Sequence, residues 1–254
     1  MKLDHVLLVH SIQGCKTTAL VEDVLDSHDI GHTVIHRSRL AQRFFKGNDL
    51  VIVVGGDGTL LRTSHFVKDK TPVLGVNCNV KVNEGFFMRA NRDNFAGRLL
   101  RILKGKNRLL KLHRLEVTLN NKLLPELALN DVFLGDHKSY HVARYWLDNE
   151  YQKSSGVIVS TAAGSYSWYK SAGGKPLALG SSKFAFKVRE PYTGRLFRPR
   201  KLSGILNPGQ RLTVRSDIFD GLIVFDSVSQ EYKFCCSDTA VIKLSKKPLL
   251  LVEF

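Results

Sequence analysis

Apolar residues over the first hundred positions come in two alternating textures. Short runs at residues 6–9, 33–36, 50–54 and 73–76 are too brief for helices and too apolar for loops, and they predict strands. Between the first two runs, Leu20, Val21, Val24 and Leu25 recur at helical spacing, and Phe95, Leu99, Ile102 and Leu103 do so after the fourth. Residues three and four apart share one helix face. Strand and helix in alternation predict an α/β unit with a parallel-type sheet and flanking helices. The 50–54 run, Leu-Val-Ile-Val-Val, has no polar position, as a strand buried on both faces requires.

From about Leu112 the pattern changes to short alternating segments at 115–119, 127–134, 142–147, 157–161, 184–188, 212–215, 222–225, 232–235 and 241–244, which predicts a mostly β domain. Asn120-Asn121 and Asp148-Asn149 tolerate positive φ and read as hairpin turns. The final apolar segment, 249–254, is expected to pack back on the first domain. The division expected is therefore 1–108, 109–240 and 241–254.

No stretch approaches the roughly 18 apolar residues of a membrane helix, and the N-terminus lacks the charged and apolar regions of a secretion signal. A cytoplasmic protein with no membrane association is expected. Four cysteines, Cys15, Cys78, Cys235 and Cys236, show no CxxC spacing, so reduced thiols are expected and a zinc site is not. His28, His32 and His36 are spaced by four, but Gly31 and the β-branched Thr33-Val34-Ile35 argue against the helix that would gather them on a metal. Lys and Arg exceed Asp and Glu by 38 − 23 = 15, which favours polyanionic ligands. The basic clusters at 101–114 and 183–201, the second with seven Lys and Arg against Glu190, suit a solvated or oligomer-facing surface, phosphate steering or nucleic acid. No nucleic-acid fingerprint accompanies them, and none is expected as a partner.

Gly55-Gly56-Asp57-Gly58-Thr59 follows the 50–54 strand and precedes a helical pattern through Leu60, Leu61, His65 and Phe66. Glycines let a backbone approach phosphates closely, and a helix N-terminus favours anions. Gly55, Gly56, Gly58 and Thr59 are therefore candidate phosphate contacts. An acid inside such a turn repels phosphate unless it serves some other chemistry, and two kinds suit Asp57. It can take a proton from an acceptor hydroxyl, or hold Mg²⁺ carried by the nucleotide. The alternative is a tight turn with Asp57 as a cap. The P-loop lysine and the dinucleotide-fold glycine spacing are both missing.

Gly55 to Thr59 resembles the GGDGT motif shared by NAD kinases, diacylglycerol-type lipid kinases and, more loosely, phosphofructokinases. Residues 155–174, S-G-V-I-V-S-T-A-A-G-S-Y-S-W-Y-K-S-A-G-G, resemble the NAD kinase stretch DG-x-x-x-STPTGSTAY-x-x-S-x-GG at Ser160, Thr161, Gly164, Ser165, Ser171, Gly173 and Gly174. Leu129-Asn130-Asp131 resembles the family's Asn-Glu/Asp pair. Trp168 and Val188-Arg189-Glu190-Pro191 look like the mitochondrial-type branch and its plant NADH kinase relatives. The resemblance implies a NAD kinase-like fold with an active site between two domains, in a homodimer or homotetramer. It implies phosphorylation of the 2′-hydroxyl of the adenosine ribose of NAD or NADH by ATP with Mg²⁺, with Asp57 as the catalytic residue. Asn130, Asp131, Thr161, Ser165, Trp168 and Ser171 would bind the dinucleotide.

Each residue also has a blander reading: a β-turn for Asn130-Asp131, core packing for Trp168, turn formation for the serines. The sequence departs from the family pattern at Ser155, where relatives carry an Asp toward the nicotinamide end, at Ala162-Ala163 for Pro-Thr and at Tyr166-Ser167 for Thr-Ala. Two rival functions stand beside the first: a lipid kinase using the basic surface against membranes, and a catalytically silent NAD-binding protein.

Overall fold

Every residue of the strand Leu50–Gly55 is buried, which explains why its sequence needs no polar face. In the computed structural model, which describes residues 2–11, 16–228 and 230–254, this strand (β3) follows β1 (His5–His10) and β2 (Gly31–His36) and precedes β4 (Val73–Asn77). The chain divides into two units, residues 1–111 with 247–254 and residues 112–246. In the first, the order β2-β1-β3-β4 continues to the strands Leu249–Glu253 and Arg108–Leu112, with Met88–Asn91 pairing beside β4. Pairing among β1 to β4 is parallel throughout. Alternate strand residues serve opposite faces: Val6, Leu8, Leu50, Ile52, Leu74 and Val76 pack with Val21 and Leu25 of helix α1 (Lys16–Asp26) and with Phe95, Leu99 and Ile102 of α3 (Phe95–Leu103). Between them, α2 (Asp57–Ser64) leaves the end of β3.

The C-terminal strand Leu249–Glu253 lies parallel to β4, with Leu251 opposite Val73. Its Glu253 carboxylate receives Arg89 at 3.2 Å and Arg108 at 3.1 Å. The preceding strand, Thr239–Leu244, pairs with Leu115–Leu119 in the β-rich unit, so a cut after residue 240 falls inside a strand.

The β-rich unit has two six-stranded sheets around a core that includes Val117, Val132, Tyr145, Val159, Phe184, Val214, Phe225 and Ile242. The Asn120-Asn121 turn takes φ of 48° and 65°, and Asp148 takes 51°, as a primed hairpin turn demands. Two sequence expectations change here. The run expected as a strand over 127–134 is a strand only over Asp131–Asp136, because the amides of Leu129 and Asn130 are drawn to the Asp226 carboxylate instead of a ladder. Arg114, at the end of a cluster expected on the surface, is 0% exposed. No helix among the described residues is long and apolar enough to cross a membrane. Cys78, Cys235 and Cys236 are free thiols, and Cys15 lies outside the described residues.

Candidate functional site

The chain runs outward from β1 to β2 and then crosses back to β3 on the other side of β1. In such a sheet the crevice beyond the C-terminal ends of the two strands flanking the reversal is the natural binding site. Here those ends are His10-Ser11 and Gly55, and they pack closely: a Cβ added to Gly55 would meet Thr59 Oγ1 at 2.8 Å and Ser11 Oγ at 3.0 Å. Gly56 is similarly confined by Asn83, at 3.1 Å, whereas a Cβ on Gly58 would meet nothing within 4 Å. Gly58 therefore leaves open space at the N-terminus of α2. A cavity of about 710 Å³ lined by His10, Thr33, Ile35, His36, Arg39 and Phe44 opens at the same end of β1 and β2.

Asp57 is the first residue of α2 and half-buried. Its carboxylate is fixed from another loop: Phe86 N–H donates to Oδ2 at 3.0 Å and Phe87 N–H to Oδ1 at 2.8 Å. Each oxygen keeps a lone pair for a hydroxyl proton or a metal ion. The loop is braced in turn by Gly85 at φ 74°, by Asn83 Nδ2 to Asn77 Oδ1 at 3.2 Å and by Asn77 Nδ2 to Asn83 O at 3.4 Å. The sequence points to Asp57 but carries no sign of Phe86 and Phe87, because an amide donor has no residue identity.

In the β-rich unit, Asn130 (8% exposed) and Asp131 (3%) sit at the head of the Asp131–Asp136 strand. Among the described residues, Asn130 Oδ1 and Asp131 Oδ1 are buried side-chain oxygens with no hydrogen-bond partner. Burial, with the Asp226 charge nearby as the smaller cause, pushes the Asp131 carboxyl up to about 8. Thr161 and Ser165 lie alongside, but their hydroxyls are already engaged. Thr161 Oγ1 donates to Leu129 O at 2.7 Å and accepts Gly164 N–H at 3.0 Å. Ser165 Oγ donates to Ala162 O at 2.7 Å and accepts Leu177 N–H at 2.8 Å. Both hydroxyls shape the turn that carries them. Ser171 is exposed, its hydroxyl on Ser167 O at 3.4 Å.

Trp168 opens the short helix α4 (Trp168–Ser171) and is half-buried. Its ring lies 5.1 Å from that of Phe133 at 37°, and the Arg189 guanidinium stands 5.0 Å from its centroid and 5.8 Å from that of Phe133. This aromatic pair with a cation over it, worth about 0.5–2 kcal/mol at such sites, involves two residues that the motif alone did not single out as Trp168's partners. Ser155, in the position of the missing Asp, lines a cavity of about 480 Å³ with Phe133, Asp136, His141, Arg189 and Leu222. The residue missed most completely is Asp226, 4% exposed, which holds residues 129–131.

Residues 6–107 match the profile of the ATP-NAD kinase N-terminal domain. A probable NADH kinase from Oryza sativa subsp. japonica is 32% identical over 262 aligned residues, spanning 93% of this chain and 80% of that protein. An NADH kinase from Arabidopsis thaliana is 30% identical over 91% of this chain and 80% of its own length. Among solved structures, an NAD kinase from Archaeoglobus fulgidus in complex with ATP superposes with a TM-score of 0.81 at 20% identity, covering 97% of this chain and 92% of that one. A yeast NADH kinase complexed with NADH gives 0.82 at 17% identity, over 100% and 84%. These two share the fold.

Proposed function

The chain belongs to the NAD kinase family, and on that premise we propose how its residues transfer the γ-phosphoryl of ATP to the 2′-hydroxyl of the adenosine ribose of NAD or NADH. The observation that carries the reading is the Asp57 carboxylate, half-buried at the head of α2 and pinned through both oxygens by the Phe86 and Phe87 amides. A general base must be held in one orientation, with a lone pair left for the incoming proton.

ATP phosphates lie over Gly55, Gly56, Gly58 and Thr59, where Gly58 leaves the backbone uncovered. The neighbouring cavity, with the His10 and His36 rings edge to face at 5.3 Å and Arg39 in its wall, accommodates the donor nucleoside. Adenosine of the acceptor meets Asn130 and Asp131, whose buried acceptor oxygens suit the donor groups of an adenine edge and ribose hydroxyls. Thr161 and Ser165 contribute by fixing the turn, Ser171 from the adjoining helix, and Trp168 by a ring face. Asp57 orients the 2′-hydroxyl and accepts its proton as the phosphoryl group moves. A loose phosphoryl transition state makes positioning and charge neutralisation the main contributions. The Asp57 carboxylate, a hard oxygen donor, would suit Mg²⁺ carried by ATP, which would supply neutralisation of phosphate charge. We further propose a cytoplasmic homo-oligomer.

The test is to measure NADP and NADPH separately, from NAD and NADH, with ATP or polyphosphate as donor. ATP-dependent product is expected. Dinucleotide binding by calorimetry with no phosphate transferred from any donor would overturn the catalytic reading in favour of a silent binding protein.

A further inference from the structure

We propose that Asp226 is a positioning residue for dinucleotide recognition, acting through the backbone of residues 129–131 rather than by touching substrate; the proposal rests on the reading of Asn130 and Asp131 above. The carboxylate takes three consecutive amides, from Leu129 to Oδ2 at 2.8 Å and from Asn130 and Asp131 to Oδ1 at 2.6 Å and 3.0 Å. Asp226 N–H returns a bond to Asp131 O at 2.8 Å.

The carbonyl side of the same segment is equally committed. Leu129 O accepts Thr161 Oγ1 at 2.7 Å, and Asn130 O accepts Thr161 N–H at 2.8 Å and Ser160 Oγ at 3.4 Å. Gly164 lies directly against it, where a Cβ would fall 2.0 Å from Asn130 O.

A backbone held on both sides cannot relax to satisfy its own side chains. The Asn130 and Asp131 Oδ1 atoms stay buried without a hydrogen-bond partner, which is unfavourable. The three amide hydrogen bonds to the Asp226 carboxylate offset that cost and keep two acceptors open for a ligand that donates. A nucleoside with an exocyclic amine and ribose hydroxyls is such a ligand. Arg114, buried at 0% exposure, sets an opposite charge near Asp226 in the core: burial pulls its guanidinium down to about 10, and attraction to Asp226 opposes the fall. Asp226 and Ser227 both take left-handed φ, 52° and 51°, a conformation that L-residues other than Gly, Asn and Asp seldom adopt. The carboxylate lies at the head of the Asp131–Asp136 strand, which pairs antiparallel with the strand Asp226 follows, Gly221–Phe225.

Asp226→Asn keeps the size and tolerates left-handed φ, but turns one acceptor into a donor facing an amide. The expected result is a rise of about 10–100-fold in KM for NAD or NADH, as the loss of one charge-assisted bond implies. Turnover and KM for ATP should stay within about threefold, a small change on the scale of tenfold per 1.4 kcal/mol. Ser227→Gly, next to it but outside the clamp, should leave both KM values unchanged. An active Asp226→Asn enzyme with unaltered KM for the dinucleotide, or with KM for ATP raised in parallel, would overturn the proposal. Should the variant not fold, amide exchange on the wild-type protein decides: Leu129, Asn130 and Asp131 should be protected before any dinucleotide is added, and protection appearing only with NADH would overturn the clamp. A wild-type protein that forms no NADP or NADPH from any donor sinks the kinase reading instead, and the exchange result still judges the clamp.

Discussion

The Gly55 to Thr59 turn and the 129–131 segment are held by different means. The turn's backbone closes largely on itself, with Thr59 N–H to Gly56 O at 3.0 Å and Leu60 N–H to it at 3.3 Å, while its Asp57 side chain is held by amides 29 and 30 positions away. The segment closes on residues far along the chain, its amides on a carboxylate 97, 96 and 95 positions away and its carbonyls on hydroxyls 32 and 30 positions away. A phosphate group is met by backbone, whose geometry a few glycines and a helix start can set. The adenosine contact proposed at Asn130 and Asp131 would rest instead on side-chain oxygens held buried without a partner, a state that no local sequence can enforce.

The largest effect should come at the turn. Asp57→Asn should cut turnover by about 10²–10⁴-fold, the range for loss of a general base, while calorimetry still records binding of both nucleotides; near wild-type turnover would remove Asp57 from the chemistry. Next is Gly164→Ala, which drives a methyl into the Asn130 backbone and should cost about 1–3 kcal/mol in urea denaturation, with a raised KM for the dinucleotide.

A third test uses pH. The Asp131 carboxyl is raised from 3.8 to about 8, so between those values the folded protein holds a proton that the unfolded chain releases. This contribution to stability is complete below about pH 4 and lost as pH rises through about 8, at up to about 1.4 kcal/mol per pH unit. Asp131→Asn should flatten that dependence across pH 5–8, and identical slopes would show that Asp131 is not the group responsible. The smallest effect on stability is expected at Gly58→Ala. Its Cβ meets nothing within 4 Å, and a helical Ala is favoured over Gly by about 1 kcal/mol, so Tm should hold or rise while KM for ATP increases. A destabilised Gly58→Ala variant would break the contrast between a glycine kept for its ligand and one kept for packing.

Asp57 can be found from sequence because its neighbours in the chain explain it: a buried strand before, a helix after, glycines around. Asn130 and Asp131 are reached through motif resemblance, and the run around them reads as continuous strand, since nothing local announces that two amides leave the ladder. Asp226 has no signal at all. It lies in the short stretch Phe225-Asp226-Ser227 after an apolar run, where an acid ordinarily faces solvent. Arg114, at the end of a basic run, is equally opaque, because the charge that draws it inside is 112 positions away (226 − 114).

By itself the sequence determined the α/β character of the first part, the mostly β character of the second, and a glycine turn with an acid between a buried strand and a helix. All of these follow from periodicity and from conformations that particular residues impose on their own neighbourhoods. Tertiary structure alone decided which amides steady Asp57, which carboxylate grips residues 129–131, and which side-chain oxygens are left buried without a partner. Those outcomes depend on the meeting of groups distant in the chain, and hydrogen-bond satisfaction in a core is settled only once that meeting has occurred.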